Sequence, residues 1–199
     1  GANSVAIGFN AATTSQGQTA IAIGARAGFD RQQPLAVAIG IQAGENQQLG
    51  GAIAIGNTAG QNRQREQAVA IGNAAGFDTQ GDLAVAIGPN AGNSSQRDGA
   101  VAIGNAAGQT TQGRNTVAIG NSAGNVGQGD NAIAIGSRAG ENTSDESSLI
   151  LNSSGGIVNS NGTNAWHVAT QGSTAGNDAS ILDAFPTATP GTTVRTPTG

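Results

Sequence analysis

The sequence predicts an all-β fold, a parallel β-roll solenoid built from 16-residue coils, and three observations carry that expectation. A Gly recurs at 8, 24, 40, 56, 72, 88, 104, 120 and 136, always 16 residues after the last. The three residues before each Gly alternate as Val or Ile, Ala, Ile, from Val5-Ala6-Ile7 to Ile133-Ala134-Ile135, which is the period-two pattern of a short strand. Large apolar side chains are also scarce, since Leu, Ile, Val and Phe make up 36 of 199 residues at a net charge of only −4. Such a chain folds by repeating a thin core many times.

Each coil reads the same way along the chain. The strand ends at its Gly, an Ala-Gly pair such as Ala27-Gly28 follows, and a polar quartet ending in Gln supplies a second, weaker strand. The Gln column runs from Gln16 to Gln128 and is expected to form a stacked amide ladder, each side chain bonded to that of the next coil. Parallel coils about 4.8 Å apart make nine repeats a rod about 43 Å long. A tenth, divergent copy follows as Leu149-Ile150-Leu151-Asn152, so the array spans 1–152.

Strand alternation places Val5 and Ile7 and their equivalents on one side and the intervening Ala on the other. The larger side chains are expected inside the coil, with the Ala column facing out. Two large side chains per coil are a thin core, so a further apolar contact is expected on the outer strip of Ala6, Ala22, Ala38, Ala54, Ala70, Ala86, Ala102, Ala118 and Ala134. That strip is the expected self-association surface. On this reading Ile71→Asp abolishes folding and Ala70→Arg only breaks association.

Variation is concentrated at the turns. Phe29, Asp30 and Arg31, with Phe77 and Asp78 three coils on, are candidate partner-contact residues, because variable loops on a rigid scaffold carry binding. After Asn152 the period fails. Residues 153–185 are expected to cap or neck the array, covering its open end, and 186–199 to be a Pro/Thr-rich linker or arm. The start at Gly1-Ala2-Asn3, with neither Met nor a signal sequence, reads as a processed chain or a fragment.

Other functions find little support. There is no Cys and no Lys, and the eight Arg are dispersed at a pI near 4.7, so neither a nucleic-acid partner nor direct membrane insertion is expected. No catalytic residue, metal site or cofactor is expected. The one His, His167, stands outside the repeats, and Asp30 and Asp78 share a column too rarely for calcium-binding turns. Thr residues fall in different columns, unlike an ice-binding row.

The unit Asn3-Ser4-Val5-Ala6-Ile7-Gly8, repeated as Asn115-Thr116-Val117-Ala118-Ile119-Gly120, resembles the head repeat of trimeric autotransporter adhesins, the YadA-like family. The array is also similar to repeats in fibre or surface proteins of large DNA viruses and phages, which run into segments like Ser148-Leu149-Ile150-Leu151-Asn152 and Trp166-His167-Val168. This resemblance covers about three-quarters of the chain and implies a left-handed β-roll in a homotrimer. It further implies a non-enzymatic attachment module on a cell surface, appendage or virion, with a host-cell protein, matrix or glycan as partner. The alternative is a structural subunit of an extracellular filament or fibre without a receptor of its own. The chain shows none of the heptads, barrel strands or recognisable neck of the autotransporter family.

Overall fold

The computed structural model describes residues 1–160 and 162–169; the expected arm at 186–199 and residues 170–185 of the expected cap lie outside them. The described chain is an all-β parallel solenoid of about ten turns with coils of about 16 residues. One side of the coil is an 11-stranded parallel sheet that begins with Val5–Ile7 and Ile21–Ile23 and ends with Leu149–Asn152 and Trp166–Ala169. Register is that of the repeat, with Val69, Ala70 and Ile71 opposite Val85, Ala86 and Ile87. A second sheet of five strands, Asp30–Gln32, Asn46–Gln48, Asn62–Gln64, Asp78–Gln80 and Ser94–Gln96, forms the other side. The corners are hydrogen-bonded between coils as well: the Gly72 N–H donates to Ile55 O at 2.8 Å and the Gly76 N–H to Ala91 O at 2.9 Å.

The interior reverses the expected face assignment. Ala22, Ala38, Ala54, Ala70, Ala86, Ala102, Ala118 and Ala134 are fully buried and belong to the core, while Val and Ile of the same strands are only half-buried or exposed. Ala6, in the first coil, is exposed. The Ala column therefore faces the lumen and offers no outer strip for self-association. The cause is the narrowness of the coil. A Cβ added to Gly76, across the lumen, would lie 3.2 Å from the Ala70 Cβ, so a Val or Ile pair pointing inward would overfill the space. The column stays Ala wherever a Gln also fills the lumen, because the remaining space admits nothing larger.

Ala20, Ala36, Ala52, Ala68, Ala84 and Ala100 are buried likewise, as are Ala27 and its equivalents through Ala139. In a typical coil the lumen is thus filled by three methyl groups and one Gln. Gln32, Gln48, Gln64, Gln80, Gln96 and Gln112 are at most 1% exposed and form the expected amide ladder. Gln48 Nε2 donates to Val37 O at 2.7 Å, to Ala52 O at 3.2 Å and to Gln64 Oε1 at 3.1 Å. The same pattern recurs at Gln64 and Gln80. Gly44 makes room for this side chain: its φ is +52°, and a Cβ there would sit 2.7 Å from Gln48 Oε1.

Where the array diverges, the lumen is refilled differently. Ile150 takes the Ala position opposite Ala134 and is fully buried, while Ser144 takes the Gln position opposite Gln128. A shorter polar residue on one side offsets a longer apolar one on the other. Trp166, within the stretch expected to cap or neck the array, opens a parallel strand beside Leu149–Asn152 and is 77% exposed on the outer face.

Candidate functional site

Alternation that sends Ala inward sends Val and Ile outward on every strand of the long sheet. The result is a ladder of paired branched side chains in register at about 4.8 Å intervals. The members are half-buried by their neighbours above and below, except where they emerge further, as at Ile7, Ile119, Ile135 and Leu151. In the third coil Leu35 and Ile41, 66% and 54% exposed, extend the row beyond Val37 and Ile39. Leu83 widens the sixth coil similarly, at 61% exposed. Both Leu35 and Leu83 occupy left-handed backbone, at φ +64° and +59°, a conformation that costs a non-Gly residue about 1–2 kcal/mol. Large contiguous apolar surface is uncommon on monomeric proteins.

The strand pattern alone could not reveal this face, because it says which residues share a side and not which side is interior. One signal did exist: a column that remains Ala without exception indicates a space limit, and the tightest space in a coil is its lumen.

The turn residues named from the sequence stand on the second sheet and its approach. Phe29 and Phe77 are half-buried three coils apart, in the column that also carries Glu45 and Gln61, so the structure does not gather them into one site. The Arg26 guanidinium lies 4.8 Å from the Phe29 ring centroid. Arg31 pairs with its neighbour Asp30 at 3.0 Å, and Asp78 with Arg63 at 3.3 Å. These are exposed pairs of small energetic weight.

Sequence reading did not single out Glu45, which is 3% exposed. It is held by Arg26, by Gln42 Nε2 at 3.0 Å and by Gln61 Nε2 at 2.5 Å. These partners satisfy the carboxylate and leave it a structural tie between coils. Among the described residues no cluster of three or more His, Cys, Asp or Glu is placed to hold a metal ion, and no helix is long and apolar enough to cross a membrane. His167 stands in register with Ile150, on the lumen side of the last strand.

Fold and site together define a parallel β-solenoid with an Ala and Gln interior and one continuous apolar outer face. Comparison with protein-family models, curated proteins and solved structures found no match.

Proposed function

We propose that this chain is a non-enzymatic attachment head: a left-handed β-roll, three copies of which pack side by side to form a rigid rod on a cell surface, appendage or virion. The outward Val and Ile ladder is the observation that carries this reading. An interior of Ala methyls leaves most of the large apolar side chains at the surface, and covering them is the main apolar stabilisation still open to the fold. A second copy is the partner whose rows repeat at the same spacing, so that every Val and Ile row meets an equivalent row. The resemblance of Asn3-Ser4-Val5-Ala6-Ile7-Gly8 to autotransporter head repeats supports three as the number. A rod with three equivalent sides presents each weak contact with a host-cell protein, matrix component or glycan three times, which turns low affinity into firm attachment.

Sedimentation equilibrium over a concentration series tests this reading. The expected result is a closed trimer for the wild type and a monomer, with its β-sheet circular dichroism retained, for Ile71→Asp, which places a charge in the middle of the ladder. A stable wild-type monomer, or an Ile71→Asp trimer, overturns it. Ala70→Arg, which drives a charge into the lumen, is expected to unfold the chain altogether.

A further inference from the structure

On the short-sheet side of the fourth to seventh coils, Arg63, Arg65, Arg97 and Arg114 line one open concavity of about 500 Å³ together with Asp98, Thr79 and Gly81. The chain has eight basic residues, all Arg, and half of them meet here in a protein whose net charge is −4. Their arrangement follows from the repeat. Arg65 and Arg97 occupy the same column two coils apart, with Gly81 between them and Gly113 beyond. Both glycines are buried backbone overlain by carboxylates, since a Cβ at Gly81 would lie 2.6 Å from Asp98 Oδ1 and one at Gly113 2.7 Å from Asp130 Oδ1, and Arg65 and Arg97 reach over them toward those same carboxylates. Arg63 is the middle residue of its strand, turned outward by a φ of +52°, and Thr79, at φ +49°, places a hydroxyl in the same row one coil on.

The carboxylates present do not saturate these groups. Arg63 meets Asp78 at 3.3 Å, Arg65 meets Asp98 at 3.4 Å and Asp82 at 3.6 Å, and Arg97 meets Asp130 at 3.7 Å. These pairs are long, and their side chains are roughly one-third to two-thirds exposed, so water and competing anions exchange with them readily. Among the described residues the Arg114 side chain has no carboxylate within ion-pair range, although its backbone N–H donates to Asp130 Oδ1 at 2.8 Å.

The geometry points to a binding groove for an anionic saccharide, one bearing carboxylate or sulfate groups, lying along the rod axis over the exposed arginine row and displacing its long carboxylate pairs. Guanidinium forks match such oxyanions in a bidentate manner. The Asp residues beside them and the Thr79 hydroxyl supply acceptors and a donor for sugar hydroxyls. This assignment rests on the attachment reading and names the substance to which the rod attaches. The groove lies away from the Val and Ile face, so assembly leaves it open.

The test measures binding of a heparin-derived hexasaccharide, an oligogalacturonate and a neutral dextran oligomer to the full chain by titration calorimetry at two salt concentrations. The expected result is binding of the anionic probes, weakened by salt, and none of dextran. Arg65→Ala combined with Arg97→Ala, and separately Arg114→Glu, should weaken it about tenfold or more, with circular dichroism unchanged and Arg138→Ala without effect. Equal binding of dextran, undiminished binding by the Arg variants, or no binding of either anionic probe by folded protein overturns the groove. Trimers that adhere to cells yet ignore both probes would overturn the groove and leave the attachment reading standing. Monomers that bind the probes would do the reverse.

Discussion

Gln80 shows how a single side chain holds three coils together. It donates to Val69 O at 2.8 Å, to Ala84 O at 3.2 Å and to Gln96 Oε1 at 3.1 Å, and accepts from Gln64 Nε2 at 3.2 Å. Removing it strands Gln96 Oε1 and opens a hole in a lumen that has no other large occupant. Gln80→Ala should therefore cost about 3–5 kcal/mol, read as a lowered urea midpoint, whereas Arg31→Ala on the exposed surface should change little. An equal effect of both would show that the ladder contributes no more than a surface residue. The neighbours Ala70 and Ile71 have opposite fates for the same geometric reason: one fills the lumen and the other forms the outer face.

At the scale of the coil, volume inside the lumen is conserved while its distribution changes. Regular coils pair Ala with Gln, and the coil of Leu149–Asn152 pairs Ile150 with Ser144. Restoring the longer polar residue alone, Ser144→Gln, should destabilise the chain by about 1–3 kcal/mol through overpacking. Adding Ile150→Ala should recover most of that loss, because the pair then reproduces a regular coil. Thermal melts of the two variants decide it, and a double variant less stable than Ser144→Gln would contradict the exchange. Such compensation is visible in the sequence as two substitutions six residues apart, but their contact across the lumen belongs to the folded coil.

Over the whole molecule, stability is a sum of coils and of contacts between them. Excising residues 113–128 joins Gln112 to Gly129 and preserves every column. The shortened chain should fold and lose about a tenth of its urea m-value, in proportion to the surface removed. Excising only 121–128 puts the columns out of step and should prevent cooperative folding. Indistinguishable behaviour of the two deletions would refute the register argument. Charge is also unevenly placed along the sequence: the four arginines between Arg63 and Arg114 are matched by Glu66, Asp78, Asp82 and Asp98, and the net negative charge falls after Arg114.

The solenoid, its 16-residue coil, the parallel register and the Gln ladder were all legible in the amino-acid sequence. Each of these follows from periodicity, and periodicity survives without knowledge of depth. It also determined that Ala and its Val and Ile neighbours stand on opposite sides of the strand. Which side is interior was decided only by the tertiary structure, since that depends on the width of the lumen left when three-residue strands close into a coil. A lumen in which the Ala70 methyl nearly meets the facing backbone cannot hold branched side chains, so they face outward. The arginine groove is likewise a product of closure: Arg63, Arg65, Arg97 and Arg114 look dispersed in the chain and converge because each turn returns it to the same side, one strand spacing higher.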